Sequence, residues 1–232
     1  MMARMYTISC VNLKGGVGKS TITVNLAACL HREHRRVLLV DADGQGTART
    51  WAAAAGEADV PPVVAMDQRN IARDLPRVAA GFDFVVVDSP ARLGKEARGA
   101  MLASSLSLLP VVPGAADVWA LRETLDVLEE ARGLVPDLAA RIVLNQADHT
   151  KMGALVASKL GELGVPLMRS TLGHRVAYRE SMLAGRGVVE YAPGSAAAVE
   201  FGALYHEVLQ LLGVASDDRS SLERAAAEGR AS

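Results

Sequence analysis

The stretch Lys14-Gly15-Gly16-Val17-Gly18-Lys19-Ser20-Thr21 follows closely on an apolar run at residues 6–11. Its three glycines let the backbone curl, so that successive N–H groups can point inward at an anion. A strand that enters such a turn and a helix that leaves it form a phosphate-binding loop. The stretch therefore predicts an α/β fold whose first strand and first helix meet at a phosphate site.

The loop carries two lysines and departs from the common nucleotide-loop pattern G-x-x-x-x-G-K-[ST]. In that pattern Lys19 reaches the β- and γ-phosphates, and the Ser20 hydroxyl coordinates Mg²⁺. Leu13 stands where the pattern has its first glycine, and Lys14 adds a cation one position later. A lysine at the start of the loop cannot easily reach its own phosphates while Lys19 already does. Lys14 is therefore either a surface lysine or a contact to something outside the site.

Two further apolar runs end in acidic residues. Residues 37–40 lead into the sequence D-A-D-G-Q, which contains Asp41 and Asp43, and residues 84–87 lead into Asp88. Ligands of parallel sheets bind at the carboxyl ends of the strands. We therefore expect the acidic residues to lie at the same edge of the sheet as the glycine loop.

The apolar pattern of the chain predicts an α/β fold. Short apolar runs without a period of two lie at residues 37–40, 84–87, 106–112 and 142–144, as in strands that are covered on both faces. Helical spacing at residues 21–32 and 118–134 falls between such runs. We predict a doubly wound, mostly parallel sheet with helices on both faces. It forms one domain over residues 1–213, followed by a polar, flexible tail at residues 214–232.

Composition sets limits on function. With 232 residues, 50% of them hydrophobic, the chain can bury a large core as one domain. A net charge of −1 argues neither for nor against nucleic acid, so any basic surface must be local. Residues 99–116 carry no charge, but Pro110, Pro113 and Gly114 favour a helix end, a strand and a loop over a membrane helix. Without a basic, apolar leader the chain is expected to be cytoplasmic.

The three motifs together resemble the deviant Walker A ATPases of the ParA/MinD family, over roughly residues 5–213. The short length is most similar to the small plasmid-partition proteins of the ParA type. The resemblance implies ATP and Mg²⁺ as cofactors and a slow hydrolysis of ATP to ADP and phosphate. Gly44 replaces the usual proline of the second motif, and Ala91 with Arg92 follows Pro90 in the third. These departures affect the shape of the two loops and not the nucleotide site.

The resemblance also implies roles for single residues. The phosphate-binding residues are Gly15, Gly16, Val17, Gly18, Lys19, Ser20 and Thr21, and the metal site draws on Ser20, Asp43 and Asp88. Asp43 orients the attacking water and ranks above Asp41. Lys14, with Lys19 and Asp43, belongs to the catalytic set, because in the family this lysine crosses a subunit interface to the partner's nucleotide. Two ATP molecules then become part of a homodimer.

Two interpretations remain for each of two polar residues, Asn145 and Asp117. Asn145, just past the strand that ends at residue 144, either reads the adenine edge or closes a turn, which is the commonest use of asparagine. Asp117 follows Pro113 and Gly114 where a helix cap is expected, although the family places contact residues in this loop.

Arg175, Arg179 and Arg186 form the strongest local basic cluster. In partition ATPases of this size, basic residues of the late helices bind duplex DNA without sequence preference, which needs cations against phosphates and no base readout. Arg175 and Arg179 are four residues apart and are expected to share a helix face. The alternative is an ordinary solvated helix surface.

The resemblance implies a switch that positions a cargo on the nucleoid, with hydrolysis stimulated by a ParB-like or adaptor protein. The cargo is a plasmid, a chromosome region or a protein assembly. One alternative is a membrane-associated switch similar to MinD, but the tail after Val214 offers only Leu222 as a large apolar residue, so no stable membrane association is expected. Another is a metabolic ATP-dependent enzyme of the same superfamily, for which no sequence feature marks a substrate pocket.

Overall fold

The computed structural model describes residues 5–67, 70–91, 95–147, 156 and 158–215. The strands are β1 Tyr6–Cys10, β2 Val37–Asp41, β3 Val63–Ala65, β4 Phe84–Asp88, β5 Leu106–Val111 and β6 Ala139–Leu144. The main helices are α1 Lys19–Arg32, α2 Thr47–Ala54, α3 Ile71–Val78, α4 Lys95–Leu102, α5 Ala115–Arg132, α6 Val176–Leu183, α7 Val188–Tyr191 and α8 Ala196–Leu212.

These strands form a parallel sheet with the order β3-β2-β4-β1-β5-β6. Strand β4 lies between β1 and β2, and Asp88 is in register with both Cys10 and Asp41. The loops that follow these three strands therefore leave the sheet side by side. This register brings the glycine loop next to the two acidic motifs, as the sequence predicts.

Alternate strand residues pack into separate cores on the two faces of the sheet. In β2, Val37 and Leu39 join a core that includes residues of α1, α2 and α8, whereas Leu38 and Val40 face a core with residues of α3, α4 and α5. Each strand is thus apolar on both sides, which explains its continuous apolar sequence. The predicted fold class, a doubly wound parallel sheet with helices on both faces, is confirmed.

The sequence analysis differs from the structure at several element boundaries. It missed β3, a three-residue edge strand that is only half buried, because so short a run has no clear pattern. Helix α5 begins at Ala115 with Gly114 at the cap position, so Asp117 lies in the first turn and is not the cap. The single domain over residues 1–213 stays a prediction, and the part of the predicted tail from residue 216 onward lies outside the described residues.

A tight turn between α6 and α7 joins these helices to α1 and α2. The indole Nε1 of Trp51 in α2 donates a hydrogen bond to the Arg186 carbonyl at 3.2 Å. The Asn25 side chain in α1 accepts one from the Val188 N–H at 2.6 Å. Gly185 has a φ of +63°, and a Cβ placed there would lie 2.1 Å from the backbone nitrogen of Ala55. Only glycine fits this position, because the two backbones touch.

We expect Gly185→Ala to destabilise the fold strongly. The added methyl would collide with the backbone at the end of α2 as well as strain a left-handed residue, so the free energy of unfolding should fall by roughly 3 kcal/mol or more. Gly194→Ala is the matched control, since Gly194 also has a positive φ, of +77°, but a Cβ there would meet nothing within 4 Å. The control should cost about 1 kcal/mol. Urea denaturation of both variants measures the difference, and equal losses would contradict the close contact.

Candidate functional site

The glycine loop ends in a left-handed residue that opens α1. Gly18 occupies the cap position of α1 with a φ of 93°, and a Cβ there would lie 2.1 Å from Nδ2 of Asn145. That amide donates a hydrogen bond to the Val17 carbonyl at 2.7 Å. Within the described ranges, the backbone N–H groups of Gly15 and Gly16 meet no protein acceptor. The loop therefore presents free donors in a backbone shape that Asn145 helps to fix.

The start of the loop is held by two residues that the sequence analysis missed. Nδ2 of buried Asn12 donates to the Pro110 carbonyl at 2.8 Å, and its Oδ1 accepts from the Lys14 N–H at 2.8 Å. Oγ1 of Thr124 in α5 accepts from the Leu13 N–H at 3.2 Å. A polar residue directly after an apolar strand was the available signal for Asn12. These contacts join the loop to β5 and α5.

Lys19 is buried beneath the loop. Its side chain is directed back into the turn, where Nζ donates to the Lys14 carbonyl at 2.9 Å, and the residue is only 6% exposed. Burial lowers the pKa of Lys19, while the neighbouring Cys10, Asp88 and Asp43 oppose that shift. An ammonium group held by one carbonyl in so dry a place is well suited to bind an oxyanion.

Asp88, at the end of β4, is a buried carboxylate without a standard hydrogen bond. The residue is fully buried, and neither carboxylate oxygen has a hydrogen-bond partner among the described residues. Burial raises the pKa of Asp88 to about 7, and the neighbouring Asp41 and Asp43 add to this shift. The nearby Ser20 hydroxyl and Lys19 oppose it. A carboxylate so placed beside a hydroxyl fits a divalent cation, which prefers oxygen ligands.

The donor set for that cation is small. Ser20 and Asp88 are the residues that would hold it, and the contribution of Asp43 to the metal site stays a prediction. Within the described ranges, no group of three or more His, Cys, Asp and Glu side chains is arranged for a metal ion. Mg²⁺ commonly takes one or two protein ligands and completes its shell with water and phosphate oxygens, so this sparse set is compatible with it.

The two aspartates after β2 differ in their surroundings. Asp41 is buried, and its Oδ2 accepts from the backbone N–H of Arg49 at 3.0 Å and from the Arg49 Nε at 3.2 Å. Its Oδ1 accepts from the Asp43 N–H at 3.2 Å. Asp41 therefore holds the loop and the start of α2, whereas Asp43 is half exposed and its side chain accepts only from the Gln45 N–H within the described part of the chain. This difference favours Asp43 over Asp41 as the reactive group.

Lys14 forms an ion pair within its own chain. Its Nζ lies 2.7 Å from Oδ1 of Asp117 in the first turn of α5, and the two side chains are 37% and 15% exposed. Trp119, two residues further along the same helix, is 69% exposed. The extra lysine of the loop is thus neutralised by α5 in this conformation.

The three arginines of the basic cluster differ in their surroundings. Arg175 caps α6 instead of lying in it, and its Nη2 lies 2.7 Å from Glu200 of α8. Arg186, in the following turn, pairs with Glu190. Arg179 is exposed, and with Arg175 it lines a pocket of about 240 Å³ that also includes Gly18, Thr21 and Asn145. The helix begins one residue after Arg175, so the expectation that both arginines lie within it is wrong, although the two line the same pocket.

The pocket beside Gly18 bears on the predicted role of Asn145. Asn145 lies next to the glycine loop in this pocket, and the one contact seen for its amide among the described residues is to the loop itself. The adenine-reading role of Asn145 stays a prediction.

Among the described residues, no helix is both long enough and apolar enough to cross a bilayer.

Comparison with known proteins gives one consistent result. A family model described as the CobQ/CobB/MinD/ParA nucleotide binding domain matches residues 8–188. The maintenance of carboxysome distribution protein A of Halothiobacillus neapolitanus is 35% identical over 211 residues, 89% of this chain and 97% of that protein. The chromosome-partitioning ATPase Soj of Thermus thermophilus is 29% identical, over 90% of this chain and 97% of that protein.

A solved structure supports the same relation. The septum site-determining protein MinD of Pyrococcus horikoshii, complexed with Mg-ADP, is 25% identical, with a TM-score of 0.71. The similarity covers 90% of this chain and 98% of that one. The sequence and fold relations therefore extend over nearly the whole described chain.

We expect Asp88→Asn to stabilise the protein when nucleotide and metal are removed. The folded-state pKa of about 7 lies above the ordinary 3.8, so between these values the folded form binds more protons, and the free energy of unfolding falls as the pH rises. The amide removes this cost, which is on the order of 4 kcal/mol above pH 7. Thermal melts in EDTA should show a higher Tm for the variant at pH 8, and the difference should shrink towards pH 4.5.

Asp83→Asn is the control of opposite sign. Asp83 is hydrogen-bonded to Arg36, which lowers its pKa, so its neutralisation should reduce stability at neutral pH instead of raising it. A lower Tm for Asp88→Asn at pH 8, similar to that of the control, would show that the Asp88 carboxylate has a stabilising partner.

Proposed function

The chain belongs to the CobQ/CobB/MinD/ParA family of nucleotide-binding proteins, and on that premise we propose that it is an ATPase that positions a cargo. ATP binding joins two copies, the dimer binds duplex DNA of the nucleoid without sequence preference, and a ParB-like or adaptor protein stimulates hydrolysis and releases it. Relatives named for carboxysome distribution and for chromosome partitioning support the positioning role. The cargo is accordingly a DNA region or a protein assembly.

The observation that carries the ATPase proposal is the meeting of Lys19, Asp88 and Asp43 at three adjacent strand ends. The loop N–H groups and the Lys19 ammonium bind the phosphates, and Ser20 with Asp88 would hold Mg²⁺. When bound, Mg²⁺ neutralises the charge that develops on the β- and γ-phosphate oxygens. Asp43, half exposed at the end of its strand, orients the attacking water and accepts its proton.

Lys14 makes the association of two copies depend on ATP. In the structure its charge is matched by Asp117 of the same chain at 2.7 Å. In the dimer the lysine leaves Asp117 and contacts the triphosphate bound to the partner. An ammonium enclosed in an interface is stable only where an anion faces it, so the two copies close when both carry the nucleotide.

We expect Lys14→Ala to bind ATP but to remain monomeric, and Asp43→Ala to bind ATP and accumulate as a dimer, because it cannot activate water. Gel filtration and sedimentation without nucleotide, with ADP and with ATP measure the oligomeric state, and phosphate release measures turnover. Turnover should fall at least about 100-fold in Asp43→Ala, the lower end of the effect of one catalytic proton acceptor.

Two variants define the controls for this experiment. Lys19→Ala should lose ATP binding itself, which separates failed binding from failed association. Asp117→Asn removes the competing anion and should lower the ATP concentration needed for half-maximal dimerisation. An ATP-dependent dimer of Lys14→Ala with normal turnover would exclude the role proposed for Lys14.

We expect Arg179→Glu combined with Arg186→Glu to weaken binding to non-specific duplex DNA. Each phosphate contact that is lost should reduce the slope of log K against log salt by about 1. Arg175 is left intact because it pairs with Glu200. Arg73→Glu with Arg132→Glu makes the same change in charge on α3 and α5, where the arginine side chains are 73% and 29% exposed, and serves as the control. Equal salt slopes in the two double variants would place the DNA surface elsewhere.

A further inference from the structure

One face of helix α6 is exposed to solvent and combines apolar with charged residues. This face has no partner in the described part of the chain. From its geometry we infer that this face packs antiparallel against the same face of a second copy. The contact involves Val176, Arg179, Glu180 and Leu183, which we call the α6 face. It needs neither Lys14 nor nucleotide, so it goes beyond the ATP-dependent dimer proposed above.

The orientation of α6 is fixed by what it buries. Ser181 is fully buried, and Tyr178 is 7% exposed and donates from its hydroxyl to the Ala197 carbonyl at 3.1 Å. On the opposite side, Val176 is 57% exposed and Leu183 is 82% exposed. These two residues are seven apart, so they lie on one stripe of the helix, two turns from each other. A well-anchored helix thus shows two large apolar side chains to water.

Two opposite charges lie between these apolar residues. Arg179 and Glu180 are both exposed, and neither has an ionic partner among the described residues. The neighbouring charged residues differ in this respect, since Arg175 pairs with Glu200 and Arg186 pairs with Glu190. The unpaired charges therefore lie at the centre of the α6 face.

The order of these residues is symmetric about the bond between Arg179 and Glu180. Val176 comes three residues before Arg179, and Leu183 comes three residues after Glu180. In an antiparallel pair with its two-fold axis at that bond, Arg179 meets Glu180 of the partner subunit, and Val176 meets Leu183 of the partner subunit. Two ion pairs and two apolar contacts form at once, as in an isologous interface. A parallel pair would oppose like charges instead.

The size of the face makes this contact weak. A helix of eight residues is about 12 Å long, and such a pair buries far less than the roughly 1,000 Å² that a stable interface needs. The contact therefore matters where copies are already concentrated, as they are along a shared binding surface. A weak second contact would link molecules that are held close together.

Cysteine cross-linking tests the geometry. We expect a mixture of Val176→Cys and Leu183→Cys proteins to cross-link under oxidising conditions several-fold more than either variant alone, because the antiparallel pair brings these two positions together. The native Cys10 and Cys29 are buried and contribute little background. The experiment is made without nucleotide and DNA, also in a Lys14→Ala background, so that it does not depend on the ATP-dependent dimer.

Charge exchange tests the chemistry. Arg179→Glu alone and Glu180→Arg alone should each reduce the cross-linked fraction several-fold, and the double exchange should restore it. Restoration is specific to a contact between copies, since a face that binds DNA or another protein has no reason to recover cross-linking. Failure of the mixed pair to exceed the single variants, or of the double exchange to restore the yield, would overturn the proposal. Loss of DNA binding in Arg179→Glu with an unchanged cross-linked fraction would assign Arg179 to DNA and would also overturn the proposal.

Discussion

A buried carboxylate with no hydrogen-bond partner among the described residues is the constraint around which the site is arranged. The register of β4 with β1 and β2 places Asp88 deep between two other strand ends. There its charge is matched only in part, by Lys19, and burial keeps its pKa high. The sheet tolerates this cost because both of its faces are well packed. A bound cation removes the cost, so ligand binding and folding stabilise the same arrangement.

The loop belongs to a set of contacts that extends well beyond the phosphate site. Asn12 and Thr124 hold its start, and Asn145 holds its end. Helix α1 leaves the loop and, through Asn25, contacts the turn before α7. Gly185 lets that turn contact α2 directly. Helices α1 and α2, which follow strands β1 and β2 of the site, are therefore packed against the late helices. A change at the loop therefore has a continuous packed route to α6.

The fold class and the phosphate loop could be predicted from sequence because their signals are local. Continuous apolar runs reveal strands covered on both sides, and glycines beside a lysine reveal the loop. The ion pair of Lys14 with Asp117, the clamp of Asn145 on Val17, and the pairing of Arg175 with Glu200 join residues far apart in the chain. No periodicity encodes such contacts, so the sequence did not show that Arg175 and Arg186 are each paired with a glutamate.

The two tryptophans of the chain lie in contrasting places. Trp51 is 2% exposed and is hydrogen-bonded to the Arg186 carbonyl, whereas Trp119 is 69% exposed on the helix that holds Lys14 through Asp117. Their emission is therefore separable: a soluble quencher reaches Trp119 first and leaves the indole of Trp51 bright. The fluorescence of Trp51 thus reports on the interior beside the late helices, and that of Trp119 reports on the surface next to Lys14.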